Sequence, residues 1–428
     1  MKHALSLLAA VVLTATAAPA AAHNISPGAP QQAPILLQGG TLYTVSHGRI
    51  QGDILLEDGK IAALGSNLNV PDNAQVIDIT GQRVYPGLIA LDTTLGIVEI
   101  SAIRATVDTS EVGLVTPEVS THTAFNADSE IIPTVRYNGI THAQVVPQGA
   151  LVRGNSSLMN LDGWSHRDAL TRADVGLHIA WPSVGISRSP WERRTPKEQQ
   201  EAQQQQRELL KDTFTTARAY HQAREAGVQA REDVRWEAMR GLFDGSKQLF
   251  VHANDRRQIS QAISFADEQG MRVVIVGGRD AWYMADELAE RNVSVIFDNA
   301  YGLPSRIDES YDAAFATPAK LAAAGVDFSI AYPGYWDTRN LAFAAGHAVA
   351  FGLDYDTALY SVTLGPAKLM GVEEQLGSLE VGKSASLVVS KGDLLDPLEH
   401  SVEYMFIDGR QVEMTNKQRQ LWEKYRAR

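Results

Sequence analysis

Two histidines lie inside short apolar runs that are typical of buried strands, His178 within residues 177–180 and His252 within 249–252. An imidazole in such a run either ligates a metal, transfers a proton, or is a hydrogen-bonded core residue. We favour the core interpretation for His178 and leave His252 open. The chain has no cysteine, which excludes disulfides, thiolate nucleophiles and cysteine-ligated zinc. It also lacks a Gly-x-Ser-x-Gly elbow and a P-loop pattern.

The elements that must position these side chains alternate between strand-like and helix-like segments through the middle of the chain. Such alternation predicts parallel strands joined by helices. The polar, glutamine-rich stretch within residues 191–240 interrupts the pattern and predicts a long exposed helix that caps the domain; a partner-binding helix is the alternative. The candidate strands lie at residues 143–146, 177–180, 249–252, 273–276, 293–297 and 328–330.

Both ends of the folded region carry short strands of a second kind. In each, two apolar runs flank an Asp-Gly pair, Asp58-Gly59 near the start and Asp408-Gly409 near the end. A two-residue Asp-Gly connection is a strong hairpin signal. Strands from the two ends pair only where the ends of the central domain meet, and a barrel between them would allow that.

The N-terminus predicts export. An apolar run covers residues 5–16 and small residues follow, ending in an A-x-A pattern at Ala22, as in a cleaved signal peptide. We expect residues 1–22 to be removed and 23–34, rich in Pro, Gly, Gln and Ala, to form a disordered tail. The predicted location is periplasmic or secreted; an uncleaved anchor helix is the alternative.

Composition narrows the class of partner. The chain has 428 residues and a net charge of −12, which disfavours nucleic acid and anionic membranes as partners and leaves a small molecule. The length fits one large domain and one small one. A homodimer, or pairing with a related chain, stays open.

Several short motifs, spread over residues 35–412, point to one family. They lie at 57–61, 78–81, 86–89, 138–141, 145–147, 154, 365–368 and 377–383. Together they resemble those of the amidohydrolase superfamily, in particular the branch near imidazolonepropionases. One departure is Ser386, which stands where an aspartate is usual.

The resemblance implies an α/β fold with a (β/α)₈ TIM-type barrel over residues 87–372, including a helical insertion at about 191–240. A composite β-sandwich domain would form from 35–86 and 373–414, followed by a helix or tail at 415–428. It also implies hydrolysis of carbon–nitrogen bonds by hydroxide on a divalent metal such as zinc.

At the first strand, the family places two histidines one residue apart, on one strand face. Here Asp92 and Thr94 hold those positions. A carboxylate can bind a hard metal, whereas a threonine hydroxyl is a poor ligand. In the fifth-strand motif His252 is kept and Asn254 replaces a second histidine. If a metal binds, His252 and Asp92 are its candidate ligands.

At the sixth strand Gly277 replaces a histidine, so no side chain is offered. Tyr332 or Pro333 replaces the aspartate that shuttles protons at the eighth strand, and Asp337 could substitute for it. Asp298 is a further carboxylate at the predicted mouth. We therefore predict as catalytic Asp92, His252 and Asp337, and as pocket residues Thr94, Asn254, Gly277, Tyr332 and His178.

Two hypotheses follow from these substitutions. The chain is a hydrolase of non-peptide carbon–nitrogen bonds, such as cyclic amides, with a rearranged metal site. Alternatively it is a metal-free pseudoenzyme that binds a ligand or an active paralogue.

Overall fold

The computed structural model describes residues 26–149, 151–228 and 231–428. The predicted signal peptide and its cleavage site lie outside the described residues. The strands are Ile35–Tyr43 (β1), Arg49–Glu57 (β2), Lys60–Gly65 (β3), Gln75–Asp78 (β4), Arg83–Pro86 (β5), Leu88–Thr93 (β6), Ile140–Val145 (β7), Val152–Asn160 (β8), Leu170–Ala180 (β9), Gln248–Ala253 (β10), Val273–Gly277 (β11), Ser294–Phe297 (β12), Phe328–Ile330 (β13), Leu387–Ser390 (β14), Val402–Ile407 (β15) and Arg410–Val412 (β16).

Helices occupy most of the connections between strands in the described part of the chain. Four further short segments are 3₁₀ turns, at Arg104–Thr106, Thr121–Thr123, Ala281–Met284 and Asp337–Asn340. The α-helices are Ile132–Arg136 (α1), Pro196–Glu225 (α2), Val234–Phe243 (α3), Arg256–Gln269 (α4), Ala285–Glu290 (α5), Ala313–Ala323 (α6), Leu341–Ala350 (α7), Tyr355–Tyr360 (α8), Leu364–Leu369 (α9) and Lys417–Arg426 (α10).

The two chain ends form one composite sheet, as the hairpin signals indicated. Its order is β16-β15-β14-β5-β1-β2-β3, with β4 also paired to β1. The ends join where β14 runs antiparallel to β5. Both Asp-Gly turns have positive φ at each residue, 50° and 77° at Asp58 and Gly59, 49° and 73° at Asp408 and Gly409. These angles are those of the hairpin turn that matches strand twist.

The central domain is a TIM-type barrel with one irregularity. Its eight strands follow the order β6 to β13, but β8 runs antiparallel to both β7 and β9. The other neighbouring pairs are parallel. The barrel therefore has seven parallel strands, and β8 occupies the third place. As a result, the strand that carries His178 is the fourth in the barrel and His252 lies on the fifth.

The interior of the barrel is apolar toward the N-terminal ends of the parallel strands. Alternate residues on each strand turn inward, and the inward set forms one buried cluster that includes Ile89 and Leu91 of β6, Phe250 of β10 and Ile296 of β12. Polar side chains follow them at the carboxyl ends. Those ends are where barrels of this kind carry their chemistry.

The glutamine-rich insertion forms the 30-residue helix α2. It begins at a capping box in which Thr195 and Glu198 bond each other's backbone N–H. The predicted cap over the barrel differs from the structure: α2 lies along the flank, where Phe214 packs edge-on against Phe265 of α4 at 5.0 Å. The buried face of α2, which includes Leu210, Phe214 and Ala217, decides this placement.

Residues 26–34 form no helix or strand but lie against the body, where we predicted a disordered tail. The Gly28 N–H donates to both carboxylate oxygens of Asp162, at 3.0 and 3.2 Å. Asp162 also accepts from buried Arg136 at 2.5 Å. Gln31 bonds Leu56 O and Gly59 N at 2.8 and 3.0 Å. Hydrogen bonds therefore fix a segment that has too few apolar residues to bury.

Within the described residues, every helix is too short or too polar to cross a membrane.

We predict that Asp162→Asn destabilises the protein by about 3 to 5 kcal/mol, because it leaves the buried Arg136 guanidinium without its counter-ion. The side chains of Asp162 and Arg136 are 0% and 5% exposed. The midpoint of urea unfolding measures this. Asp267→Asn, which breaks the exposed pair with Arg291, is the matched control and should cost under about 1 kcal/mol. Equal effects in both variants would refute the assignment.

Candidate active site

A layer of polar side chains lies on top of the apolar interior, at the carboxyl ends of the parallel strands. Gln144, Ser156 and His178 in it are fully buried, while His252 and Asp298 keep some exposure. A buried layer of this kind is stable only when its polar atoms are paired.

Hydrogen bonds join this layer across five strands. The backbone N–H of Asp92 donates to Gln144 Oε1 at 3.2 Å, and Gln144 Nε2 donates to Ser156 Oγ at 3.0 Å. Ser156 Oγ lies 2.8 Å from His178 Nε2. His178 Nδ1 then lies 3.0 Å from His252 Nε2. This hydrogen-bonded network thus runs from the first strand of the barrel to the fifth.

The donor and acceptor roles in this hydrogen-bonded network follow from Ser156. Its hydroxyl accepts from Gln144, and because it is fully buried its own proton needs an acceptor. His178 Nε2 provides one. His178 therefore carries its proton on Nδ1 and donates to His252 Nε2, which leaves His252 protonated on Nδ1.

The pKa of both imidazoles lies well below the usual value. Burial is the main cause for His178 and for His252, and the charge of Arg153 adds to it. Both rings are therefore neutral at pH 7. Since His252 Nδ1 makes no hydrogen bond among the described residues and the ring is partly exposed, its N–H is free for a ligand or water.

Asp92 lies in an irregular stretch of β6. Ala90 pairs with Ala143 and Thr93 with Val145, so three steps on β6 oppose two on β7, and Asp92 has a φ of 53°. The simple alternation that we expected for Asp92 and Thr94 does not apply, since the strand ends at Thr93. The carboxylate is buried with Oδ1 unpartnered, and its pKa is raised, first by burial and then by Asp298.

Arg153 was not predicted, and it enters the site through a bulge. Val152 of β8 pairs with Ile179 and Gly154 with His178, which leaves Arg153 unpaired between them. The guanidinium interacts electrostatically with Asp92, and burial lowers its pKa. The sequence signal that could have indicated β8 is the turn pair Asp162-Gly163, which follows this largely polar strand.

Asp298 follows β12 and has the same inward parity as Ile296. Burial raises the pKa of its carboxyl to about 6. The sequence placed Asp298 at the pocket mouth, and the structure brings it close enough to Asp92 to raise the pKa of that residue.

The position of the sixth-strand histidine is occupied by another side chain. Gly277 has a φ of 97°, and a Cβ there would lie 2.8 Å from Asn254 Oδ1. Asn254 Oδ1 accepts from the Arg279 N–H at 3.2 Å. Gly277 and Asn254 therefore pack against each other and shape the turn.

Two other predicted residues lie away from the polar layer. Asp337 is exposed, begins a 3₁₀ turn and pairs with Arg339 at 3.5 Å. Tyr332 is partly buried and packs against Tyr301, with ring centroids 5.7 Å apart. Thr93, rather than Thr94, ties the first strand to this loop, through Thr338 at 3.1 Å.

The donor set does not fit a zinc ion. In the described residues no group of three or more His, Asp, Glu or Cys side chains could hold a metal. The lone pairs of His178 and His252 already accept hydrogen bonds, and a structural or catalytic zinc needs at least three protein ligands. Binding a metal would break this hydrogen-bonded network and would place a second positive charge near the cation Arg153.

Comparison with known proteins agrees with this fold. The Amidohydrolase family matches residues 319–412. Amidohydrolase tasK of Hapsidospora irregularis is 21% identical over 398 residues, 84% of this chain. The chain spans 39% of the length of that relative. Dihydroorotase of Mycobacterium tuberculosis is 49% identical over 43 residues, 10% of each chain.

Solved structures extend the likeness over nearly the whole described chain. An amidohydrolase from Thermotoga maritima has a TM-score of 0.79 and 26% identity, covering 89% of this chain and 99% of its own. Molinate hydrolase, at 16% identity and a TM-score of 0.54, covers 91% and 95% and shares the fold. The chain belongs to the amidohydrolase superfamily. The imidazolonepropionase-like branch stays a prediction.

We predict that ¹⁵N NMR will find His178 and His252 neutral and protonated on Nδ1 at pH 7. Their resonances should not titrate through about 6.5, the ordinary value, because burial lowers both pKa values. Adding zinc should leave them unchanged.

Ser156→Ala tests the assignment, since it removes the donor to His178 Nε2 and should shift the tautomer populations of both rings. Zinc-induced shifts of both rings in the wild type would contradict the fit argument.

Proposed function

We propose that this chain is a hydrolase that cleaves a carbon–nitrogen bond in a small, non-peptide amide and uses acid–base groups of the barrel mouth without a bound zinc. The observation that carries the proposal is the convergence of Asp92, Asp298 and the free His252 N–H at one end of an amidohydrolase-type barrel. This is where the fold places chemistry.

The two carboxyls have different roles because their surroundings separate their pKa values. Asp298, with a pKa of about 6, is ionised at pH 7 and accepts a proton from the attacking water. Asp92, whose pKa is raised by burial and by the charge of Asp298, supplies a proton to the leaving nitrogen.

The His252 N–H stabilises the charge that forms on the carbonyl oxygen. His252 cannot rotate freely, because His178 holds its Nε2 at 3.0 Å. A donor fixed in this way costs little reorganisation when the oxyanion forms. Water adds to the carbonyl carbon, the C–N bond breaks, and the amine leaves with the proton of Asp92.

A second function, a metal-free binding subunit, is favoured by one observation. Asn254 packs into the space beside Gly277, so the sixth strand cannot present a ligand without local rearrangement. In this case the barrel would bind a small ligand or pair with an active paralogue.

We predict that turnover of a panel of cyclic and acyclic amides rises with pH through about 6, as Asp298 loses its proton, and falls again where Asp92 does. Asp298→Asn should remove the rising limb and lower kcat by about 10²- to 10⁴-fold. EDTA should leave kcat unchanged. Asp337→Asn, at the exposed loop position, is the control and should keep wild-type kcat.

No turnover of any amide in the panel would support the binding-subunit function. Turnover that EDTA abolishes and zinc restores would show that the metal-free mechanism is wrong.

A further inference from the structure

Arg153 is a cation without an ion pair. Among the described residues no carboxylate lies within salt-bridge distance of it, and its Nε is buried with no hydrogen-bond partner. Most arginines in buried positions are paired, because an uncompensated charge is costly to desolvate. This arrangement therefore calls for an explanation outside the apo protein.

The carboxylate whose charge acts on Arg153 is Asp92, and the surroundings of Asp92 favour its neutral form. The raised pKa weakens Asp92 as a counter-ion for the guanidinium, and the two side chains make no ion pair. The neighbouring imidazoles of His178 and His252 are also neutral and feel the positive charge of Arg153. Among the described residues, Arg153 thus has no direct charge partner at the barrel mouth.

The bulge on β8 accounts for the direction of Arg153. A regular strand would alternate inward and outward side chains, and Ser156 and Leu158 already turn inward. The extra residue between Val152 and Gly154 releases Arg153 from that alternation, as bulges near functional sites commonly do. The Gly154 φ of 115° permits the bend.

We propose that Arg153 binds a carboxylate of the ligand, so that the substrate is a small amide that also carries a carboxylate group. The amide part of this statement rests on the proposed function; the carboxylate part does not. The planar guanidinium fork matches a carboxylate in a two-point contact. A single guanidinium matches the single negative charge of a carboxylate more closely than the two charges of a phosphate dianion.

The apo protein supplies the test, with acetate as the probe and acetamide as its neutral match. Saturating acetate should raise the Tm of the wild type by about 1 to 2 °C, and acetamide at the same ionic strength should not. Inorganic phosphate should act less than acetate. If phosphate stabilises more than acetate, the carboxylate assignment is wrong.

Arg153→Gln should lose the response to acetate and should have a Tm at or above that of the wild type, because it removes an unpaired, half-buried charge. Arg153→Lys should respond more weakly than the wild type. Arg291→Gln, at an exposed ion pair, is the control and should keep the full response. A fall in Tm together with an unchanged acetate response would overturn the proposal.

If Arg153→Gln does not fold, NMR of the wild type provides the decision: acetate should shift the His252 Nδ1 resonance and acetamide should not. Binding of acetate without turnover of any amide keeps the carboxylate site and removes the hydrolase proposal. Hydrolysis of neutral amides with equal kcat/KM in the wild type and Arg153→Gln does the reverse.

Discussion

The hydrogen bond between His178 and His252 is the constraint on which the barrel mouth depends. It joins the fourth and fifth strands at 3.0 Å, and it uses the lone pair with which His252 could have bound a metal. Its direction is set at the next residue of the network, where the buried hydroxyl of Ser156 has to donate to His178. The free N–H of His252 and the poor fit of zinc are thus two consequences of one buried network.

Irregular backbone places the charged groups above this network. Asp92 lies in a left-handed conformation within a shifted pairing of β6 and β7, and Arg153 lies in the bulge of β8. Strain and bulges cost stability and persist where surrounding structure fixes them. The fully paired layer of Gln144, Ser156 and His178 provides that support, so a rigid neutral layer carries a charged one.

The sequence predicted the architecture because its signals are local. Asp58-Gly59 and Asp408-Gly409 specify hairpins through two residues each, the strand–helix alternation predicts parallel strands, and the family resemblance implied the barrel. The candidate site was harder to predict than the fold. His252 and Asp92 lie in or beside the polar layer and Asp337 is on the surface, while the predicted roles of these residues stay predictions. The placement of Arg153 and the role of Ser156 depend on an antiparallel strand and a bulge. No short segment of the sequence specifies the pairing register between distant strands.

The superfamily fold also limits which replacement chemistry is available. Thr94 and Gly277 stand where the family has histidines, so these positions bring no metal-bound positive charge to the mouth. Arg153, on the antiparallel strand β8, supplies positive charge instead. A metal ion would bring its charge to a single point and activate water there. Arg153 instead brings a fixed charge that cannot lose its proton at neutral pH, so it can attract an anion but cannot activate water. In the proposed mechanism water activation falls to a carboxylate, and Asp298 is the one at the mouth whose pKa, about 6, leaves it ionised at pH 7.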